Sequence, residues 1–565
     1  MEHNQNSNVL YSALDSHVRI YADTNRYIAY KINKLSNYQV IQIGCDGNLN
    51  TCTSINSRGV GLSEKDRSKV CNNCKAMQKT MHHDVRLYID KSELNSSKTQ
   101  FLERLKETIL VDRDLSRAIN LVFDDIEICK IAFFDWSILF KLGEKIELNN
   151  EQIERFLFGV RDLLLIYQSV EDYKYIFKDS QYLFYINGNY SQNTMLRKLL
   201  KKNHVKSISI ELQPFSDKLF NKICFKKERI KLECEGLSAM PPDDTLIDSI
   251  SLNEVLQNFR NRFLGKEYNA YTNLKKNEQT VKDINRLRKF TKKFEYVYTY
   301  FAHSNDEVIP HQITHNAKNS GHEEFQSQDD YLNWLLKTAI QNSNIGFVVR
   351  LHPRMARNKR DGFDSDEHKR VRSILSKGSG IKNILVISGD SKISSYYVIY
   401  KSSLIVVGWS TIGLEALALG KRVLSIFPYF GMYPVVKISN QPKFINEIKN
   451  FMGLESDFCS PVEKNLALWL SIAYEYQFIK IPVIRIHESI CSNFLYVINR
   501  LVIFLHISKL WFYIFSWLKI GVLYKDSEFL LNYKHHTLAL TEEGVSEMFI
   551  LHRSIWAKSM KDYEN

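Results

Sequence analysis

Short apolar runs alternate with longer amphipathic stretches through residues 1–212 of the chain. A run of roughly four to eight apolar residues is typical of a buried strand, whereas apolar residues spaced three and four apart are typical of a helix. The pattern predicts strands at Tyr38–Gly44, Lys130–Trp136, Tyr182–Ile186 and Val205–Leu212, and helices at Phe101–Phe123, Glu151–Phe177 and Thr194–Asn203. This alternation predicts a parallel sheet covered by helices.

A polar, strongly charged stretch at residues 213–290 has a mostly helical pattern and is interpreted as the connection between two halves of the protein. A second alternating set follows it. Strands are predicted at Phe294–Phe301, Ile345–Leu351, Ile384–Ile387, Leu404–Val407 and Arg422–Ile426, and helices at Asp329–Gln341, Ser394–Lys401 and Ile412–Leu419. We expect a doubly wound α/β domain, in which ligands bind at the carboxyl ends of the strands. From about Ile438 the pattern is mainly helical.

Length and charge narrow the class of protein. A chain of 565 residues is too long for one hydrophobic core, so two domains and an appendage are expected. The formal net charge is +13, with Lys and Arg spread along the chain. Such a surface suits an anionic partner, namely nucleic acid, anionic lipid or a phosphorylated substrate, and solubility alone is the alternative explanation.

The N-terminal residues are polar and lack the apolar core of a signal peptide, so we expect a cytoplasmic protein whose nine cysteines are reduced. The apolar segment at residues 501–518 is interrupted by His506 and Lys509, which argues against a membrane span. A helix packed in the protein is one alternative. A helix lying on an anionic membrane surface is the other, and it would place the protein peripherally on the inner membrane.

The run from Leu404 to Leu424 carries the strongest chemical signal. A hydrophobic strand ends at Gly408, and Ser410 and Thr411 then stand at the start of a helix, where free backbone N–H groups attract phosphate. Gly413 is expected to let the backbone approach a ligand, and Glu415 to accept hydrogen bonds from a ribose or a sugar hydroxyl. An ordinary helix N-cap is the alternative.

Two further loops are expected at the same edge of the second sheet. Arg350 and His352 end the Ile345–Leu351 strand and offer a cation and a hydrogen-bond donor, while Pro353 fixes the turn after them. Ser395 and Tyr396 begin another helix with hydroxyl groups. Three loops with groups suited to anions predict a nucleotide site.

These elements resemble those of the capsule-polysaccharide and surface-carbohydrate biosynthesis glycosyltransferases. That family shows an Arg-x-His-Pro element, a Ser-Tyr element and a Ser-Thr-x-Gly-x-Glu-Ala element followed by Gly-Lys. This chain shows Arg350-Leu351-His352-Pro353, Ser395-Tyr396, Ser410-Thr411-Ile412-Gly413-Leu414-Glu415-Ala416 and Gly420-Lys421, in that order. The resemblance implies a GT-B fold, with two Rossmann-like doubly wound domains facing a cleft and a helical C-terminal extension.

The resemblance also implies different functions for successive regions of the chain. An acceptor-side domain would span residues 1–290, with a cysteine-rich loop at 45–74 and a helical connection at 213–290. A nucleotide-sugar domain would span 291–437, and a helical, membrane-associated or packed region 438–565. The His-Pro and paired-hydroxyl arrangement is also similar to that of bacterial transferases that use CMP-activated acidic sugars such as Kdo and sialic acid. It implies that His352, Ser410 and Thr411 hold a cytidine nucleotide, although enzymes using UDP- or GDP-sugars share part of this pattern.

The first half carries weaker signals. Related proteins have an Asn-Gly-Arg turn followed by a Glu, and here Asn187 and Gly188 are followed by Asn189, with Glu211 as the later carboxylate. The missing Arg keeps a non-catalytic glycosyltransferase-like subunit open as an alternative. A catalytic base must reach the attacking hydroxyl, and Glu211 and Asp46 are the candidates, unless they are solvated loop carboxylates.

Four cysteines, at positions 45, 52, 71 and 74, form a C-x6-C-x18-C-x2-C pattern. The last pair has the spacing of a zinc knuckle, and four thiolates make a closed structural site. The alternatives are free thiols in a reducing compartment, or a site in which His82 or His83 replaces one thiolate. The remaining five cysteines, which we expect to be packing residues, are Cys129, Cys224, Cys234, Cys459 and Cys491.

The combined prediction is an enzyme that transfers a sugar from a nucleotide donor, with CMP-sugars favoured, to a surface polysaccharide or its lipid-linked precursor. No Asp-x-Asp pair stands on a well-placed loop, so no catalytic metal is expected. Arg350 or Lys421 would offset charge on the leaving phosphate. The alternatives are a CDP-polyol phosphotransferase and a zinc-stabilised nucleic-acid-binding protein. No basic run with interleaved aromatics supports the latter, and we expect no nucleic-acid partner.

Overall fold

The computed structural model describes residues 8–18, 38–142, 147–212, 222–227, 249–264, 277–314, 327–357, 362–408, 412–426, 436–437, 478–480 and 542–564, with single positions at 325 and 410 and several between 21 and 33. The chain forms two compact units. Unit 1 comprises Met1–Leu139, Glu144–Arg229 and Gln477–His535, and unit 2 comprises Phe140–Gly143, Ile230–Tyr476 and His536–Asn565.

Unit 1 is built on a seven-stranded sheet. Its strands are β1 (Asn8–Ser12), β2 (Gln39–Cys45), β3 (Val85–Ile89), β4 (Ser180–Ile186), β5 (Lys206–Leu212), β6 (Lys222–Lys227) and β13 (Phe478–Lys480). The order is β13-β6-β5-β4-β1-β2-β3. The strands from β1 to β5 are parallel, β6 is antiparallel to β5, and β13 is antiparallel to β6.

The helices of unit 1 follow its parallel strands. They are α1 (Thr53–Asn56), α2 (Glu64–Lys79), α3 (Ser96–Asp112), α4 (Ile128–Phe140), α5 (Asn150–Asp172), α6 (Lys174–Phe177) and α7 (Ser191–Lys202), with a 3-10 turn at Ala118–Asn120. A capping box at Asn149 and Gln152 starts α5, whose inner face is lined by buried residues such as Phe156 and Leu163. The predicted alternation of strands and helices is confirmed here.

Three predictions in unit 1 are wrong. The helix predicted at Phe101–Phe123 ends at Asp112, because Arg113 takes a left-handed conformation with φ of 56°. Lys130–Trp136 is not a strand, because it lies inside α4, whose residues from Ile128 to Phe134 are almost all buried. A helix buried on nearly all sides shows a continuous apolar run, which periodicity cannot separate from a buried strand. Residues 45–74 are not a simple loop, because they contain α1 and the first two-thirds of α2.

Unit 2 contains the second sheet. Its strands are β7 (Tyr296–Phe301), β8 (Ile345–Arg350), β9 (Ile384–Ile387), β10 (Leu404–Val407), β11 (Arg422–Ser425) and β12 (Val436–Lys437), in the order β12-β11-β10-β7-β8-β9, all parallel. Its helices are α8 (Ser249–Phe263), α9 (Glu278–Thr291), α10 (Asn305–Thr314), α11 (Gln328–Gln341), α12 (Asp366–Ser376), α13 (Ser395–Tyr400), α14 (Ile412–Ala418) and α15 (Glu542–Glu564). Each unit is thus a Rossmann-like sheet with covering helices, as predicted, and the sheet is parallel throughout in unit 2 and from β1 to β5 in unit 1.

Local sequence explains where the helices of unit 2 begin. The side chains of Asn277, Ser327 and Ser365 accept hydrogen bonds from the backbone N–H groups of Thr280, Asp330 and His368, and so cap α9, α11 and α12. Between α11, α12 and the sheet lies a core of buried side chains that includes Tyr331, Leu335, Phe347, Val349 and Val371. This core includes side chains of β7 and β8, the strands that lead into the loops of the candidate site.

The units do not divide the chain as the sequence predicted. The boundary between them falls near residue 229 rather than 290, because α8 and α9 belong with unit 2 and β6 with unit 1. The region 438–565 is shared, since β13 extends the first sheet and α15 packs on α8 and α13 in unit 2. The packing of the two units about a cleft stays a prediction.

The described helices include none that is long and apolar enough to cross a membrane. The apolar segment at residues 501–518 lies outside the described residues.

Candidate functional site

Three neighbouring strands of unit 2 end level with one another. The last residues of β10, β7 and β8 are Val407, Phe301 and Arg350, and they are register partners across the sheet. The residues that follow them therefore emerge side by side at the carboxyl edge. We call this set the histidine edge: Gly408, Ala302–Ser304 and Leu351–Pro353. The sequence prediction that the loops after β8 and β10 share one edge is confirmed, and β7 lies between them.

His303 lies at the centre of this edge. From the sequence it was predicted only as part of a polar loop, with no functional role. Its side chain is buried against the backbone of Gly408, where an added Cβ would lie 3.0 Å from Cε1 and closer still to Nδ1. Its Nε2 lies 3.0 Å from Oδ1 of Asn305. Burial, with a smaller contribution from nearby His352, lowers the pKa of His303 to about 4. The imidazole is therefore neutral at pH 7.

His352 lies beside His303 and keeps part of its surface exposed. Its Nδ1 accepts a hydrogen bond of 3.3 Å from the backbone N–H of Arg354, so its proton resides on Nε2. Desolvation and the positive charges of Arg354 and Arg350 lower the pKa of His352 to about 4, against the opposing effect of Asp306. The edge thus offers a neutral imidazole whose Nε2–H is a donor, and a hydrogen bond from it to a nucleotide stays a prediction.

Close packing of loop backbones fixes His352 in place. A Cβ added to Gly389, in the loop after β9, would lie 2.7 Å from the carbonyl oxygen of His352 and 3.2 Å from Cβ of Ala356. Only glycine allows this approach, so the loops after β8 and β9 depend on each other.

The acidic groups near the histidine edge are neutralised locally. Asp306 accepts a hydrogen bond of 2.6 Å from Nε of Arg354, and both side chains are buried. Glu367 accepts hydrogen bonds from Nε2 of Gln328 at 2.6 Å and from the backbone N–H of Asn305 at 2.8 Å. Burial, reinforced by Asp306, raises the pKa of Glu367 to about 8, so this carboxyl is mostly protonated at pH 7. The surroundings therefore do not repel an anion strongly.

Arg350 and Pro353 shape the loops around the edge. The buried guanidinium of Arg350 donates to the carbonyl oxygens of Ser388 and Ser391, the latter at 3.0 Å, and its pKa is lowered to about 10 by burial. Arg350 therefore holds the loop after β9, and a contact with a donor phosphate stays a prediction. Pro353 lies in the turn after His352 and is half-buried.

The carboxylate of Glu415 is hydrogen-bonded to two side chains of unit 2. Its Oε1 accepts a hydrogen bond of 2.8 Å from Nη1 of Arg262, and its Oε2 accepts one from the hydroxyl of Tyr396. All three side chains are buried. The carboxylate therefore joins α8, α13 and α14, and a further contact with a ribose or sugar hydroxyl stays a prediction. Ser395 begins α13 and is half-buried.

The loop after β10 shows a cap and a packing glycine. Ser410 is half-buried, and its hydroxyl accepts a long hydrogen bond of 3.4 Å from the N–H of Ile412. A Cβ at Gly413 would lie 3.1 Å from Cγ2 of Val407, so this glycine allows α14 to pack on β10, and the approach of a ligand to its backbone stays a prediction. Thr411 lies outside the described residues. Lys421 donates to the carbonyl oxygen of Ser402 at 2.6 Å, and burial lowers its pKa to about 8.

Of the sequence candidates in unit 1, Asp46 is exposed and lies 3.7 Å from Nζ of Lys75. Glu211 is the penultimate residue of β5, and its side chain is outside the described part of the structure. Asn187 adopts a left-handed conformation with φ of 49°, directly after β4. A Cβ at Gly188 would lie 2.7 Å from the ring of Tyr185, so the turn at 187–188 requires a glycine there.

A buried carboxyl that the sequence did not reveal lies next to this turn. Asp15 follows β1, the neighbour of β4 in the sheet. Burial raises the pKa of Asp15 to about 7, against the opposing effects of its own backbone N–H and of Asn193. Tyr21 interacts with Asp15, Tyr190 and Asn187, and its pKa is raised mainly by burial. Asp15, Tyr21 and Asn187 thus form one cluster at the carboxyl edge of unit 1.

The four cysteines predicted as metal ligands lie on neighbouring elements of unit 1. Cys45 ends β2, Cys52 caps α1, and Cys71 and Cys74 lie on α2. No disulfide joins them. Within the described ranges, no group of three or more His, Cys, Asp or Glu side chains is already arranged to hold a metal ion.

Comparisons with known proteins give only distant similarities. No family model and no curated protein sequence matches the chain. Among solved structures it is similar to KpsC of Thermosulfurimonas dismutans, a beta Kdo 2,7 transferase, with 14% identity, 56% of this chain and 83% of that chain covered, and a TM-score of 0.28.

Two further solved structures illustrate the range of these similarities. UDP-GlcNAc 2-epimerase of Neisseria meningitidis bound to UDP-GlcNAc has 10% identity, covering 82% of this chain and 97% of that chain, with a TM-score of 0.26. A UGT transferase of Siraitia grosvenorii in complex with UDP has 10% identity, covering 83% and 93%, with a TM-score of 0.25. All three TM-scores are low, so the fold assignment stands on the chain's own sheet topology.

Proposed function

We propose that this chain is a glycosyltransferase that binds a nucleotide-activated sugar at the histidine edge of unit 2. The observation that carries the proposal is the juxtaposition of His303 and His352 at the level ends of β7 and β8. Ligands of doubly wound sheets bind at this edge of the strands. A neutral Nε2–H on His352 can donate to a phosphate oxygen without requiring a low pH.

The donor is proposed to be a CMP-sugar. Its single phosphodiester carries one negative charge, which suits an edge with two neutral imidazoles. The nearby arginines are already engaged, Arg354 by Asp306 and Arg350 by loop carbonyl oxygens. The similarity of the His-Pro and hydroxyl elements to transferases for CMP-activated acidic sugars supports the same choice. The acceptor is proposed to be a surface polysaccharide or its lipid-linked precursor, with the basic chain near an anionic membrane surface.

We place the acceptor side in unit 1 and propose Asp15 as the general base, in preference to Asp46 and Glu211. A base is most effective when its pKa lies near the working pH, and the pKa of Asp15 is raised to about 7. Two other buried carboxyls have similar pKa values, but Asp135 caps α7 through the N–H of Ser191 and Asp162 accepts from Thr51. Those contacts give them structural roles.

Calorimetric titration with CMP, CDP, UDP and GDP tests the donor site. We expect one nucleotide to bind the wild type and to bind His303→Ala and His352→Ala on the order of tenfold more weakly, the loss of about one good hydrogen bond. His82→Ala, which removes a half-exposed histidine of unit 1, is the control and should bind as the wild type does. Equal affinity in all four proteins would remove the proposed site.

The mass of the product separates glycosyl transfer from polyol-phosphate transfer. A glycosyltransferase adds only the sugar residue to the acceptor, whereas a CDP-polyol phosphotransferase adds the polyol together with its phosphate. Mass spectrometry of an acceptor incubated with the donor distinguishes these increments. An added phosphate would refute the first reaction and leave the nucleotide site intact.

A further inference from the structure

The four cysteines of unit 1 converge from three separate elements. Cys71 and Cys74 are three residues apart on α2 and therefore share one face of that helix. Cys45 ends β2, and the turn after it brings Gly47 against α2, so that a Cβ added to Gly47 would lie 3.8 Å from Cβ of Cys71. Cys52 is buried at the start of α1, in one apolar cluster with Cys71.

Three of these sulfurs accept hydrogen bonds from N–H groups. Sγ of Cys45 accepts from the backbone of Gly47 at 3.2 Å, with the N–H groups of Asn48 and Leu49 also directed at it. Sγ of Cys52 accepts from the N–H of Ile55 at 3.4 Å. Such donors favour the negatively charged thiolate, which is the form that binds metal ions.

Cys74 shows the same pattern from a different part of the chain. Its sulfur accepts from the backbone N–H of His17 and from Nε2 of Gln78, the latter at 3.6 Å. Thiols do not ordinarily need several donors each. A turn that wraps N–H groups around a cysteine sulfur is instead the environment that stabilises a metal-bound thiolate.

We propose that Cys45, Cys52, Cys71 and Cys74 bind one zinc ion as a closed structural site. Four soft sulfur ligands select zinc with tetrahedral geometry and leave no position open for catalysis. The thiols do not yet surround one point, so binding requires their side chains to turn toward a common centre while their protons pass to solvent.

The consequence for the molecule lies in the loop after β1. The N–H of His17 contacts Cys74, and Asp15 stands two residues before it. A zinc ion would therefore tie β2, α1 and α2 together and, through Cys74, hold the β1 loop and its buried carboxyl in place. This inference does not depend on the proposed transfer reaction.

The test uses the full chain, purified with a reductant and without chelator. We expect about one zinc per chain by elemental analysis. Replacement by Co²⁺ should give intense near-ultraviolet bands from sulfur-to-cobalt charge transfer and visible bands of tetrahedral geometry. Cys71→Ser should weaken the charge-transfer bands and Cys74→Ser should abolish tight binding.

Cys129→Ala is the matched control, because Cys129 is a buried cysteine of α4 and is not one of the four proposed ligands. It should keep the zinc and the cobalt spectrum. A metal-free wild type whose melting temperature is unaffected by chelator would overturn the proposal. So would a cobalt complex that lacks thiolate bands. If the serine variants fail to fold, the wild-type cobalt spectrum decides alone.

Discussion

Replacing Gly408 by alanine tests the histidine edge without removing any hydrogen-bonding group. The added Cβ would lie 3.0 Å from Cε1 of His303 and closer still to Nδ1. Ordinary carbon contacts are about 3.5–4.0 Å, so the imidazole must retreat by roughly 0.5–1 Å or rotate. Because His303 also contacts Asn305 through Nε2 at 3.0 Å, any such movement breaks or bends that hydrogen bond.

Three separate costs follow from this displacement. Overpacking in a buried site costs about 1–3 kcal/mol of unfolding free energy. A mispositioned hydrogen-bonding group costs about 0.5–1.5 kcal/mol in ligand binding, or roughly two- to tenfold in affinity. Misplacement of a group by about 1 Å has a larger effect on the transition state and lowers kcat on the order of a hundredfold. We therefore expect a folded variant with modestly weaker nucleotide binding and severely reduced transfer.

Gly380→Ala is the matched control, because a Cβ there meets no atom within 4 Å. Chemical denaturation gives the loss of stability, calorimetry the nucleotide affinity, and product analysis the rate. We expect Gly408→Ala to differ from Gly380→Ala in stability, in nucleotide affinity and in rate. A Gly408→Ala protein with wild-type binding and rate would show that His303 takes no part in donor recognition.

Three further predictions concern buried charges. Removing Arg262 or Glu415 by alanine substitution should cost about 3–5 kcal/mol of stability by denaturant unfolding, because each leaves a buried charge unpaired, whereas an unchanged midpoint would contradict the pairing. Asp15→Asn should raise the free energy of unfolding by up to about 4 kcal/mol at pH 8 but not at pH 4. The reason is that the pKa of Asp15 is raised to about 7 in the folded protein, so this carboxyl destabilises the fold as the pH rises through that value. The same substitution should abolish transfer. Affinity for a nucleotide sugar should stay flat from pH 7 to about pH 5.5, where Glu367 is mostly protonated and where His303 and His352 are neutral because they protonate only near pH 4. Strengthening of the affinity across pH 6.5 would show an ordinary histidine pKa.

The second sheet could be predicted closely because its strands are short apolar runs bounded by polar loops. Predicted Ile384–Ile387 and Leu404–Val407 are the observed strands residue for residue. A parallel sheet then forces the loops after β8, β9 and β10 to one edge, so this shared edge followed from topology alone.

The chemistry at that edge could not be predicted because it depends on contacts between distant residues. His303 is held at the site by packing against Gly408, which lies more than a hundred residues later in the chain. A histidine in a polar loop gives no sign of such a contact in the sequence. Glu415 had the right spacing for a ligand contact, yet Arg262 from α8 pairs with it. The strand β1 was missed because only five residues, preceded by a polar terminus, form it.

In unit 1, likewise, the burial of individual side chains could not be predicted from the sequence. Asp15 is one acidic residue among 63 Asp and Glu, and only the fold shows that it is enclosed. The α4 helix was mistaken for a strand because its apolar residues surround the helix instead of lining one face. Periodicity carries information only where one face meets water.

The most direct measurement is a crystal structure of the full chain with the tightest-binding nucleotide. We expect a phosphate oxygen of the nucleotide to lie within hydrogen-bonding distance of Nε2 of His352, above the ends of β7, β8 and β10. A nucleotide bound anywhere else, with His303 and His352 untouched, would contradict the proposed donor site.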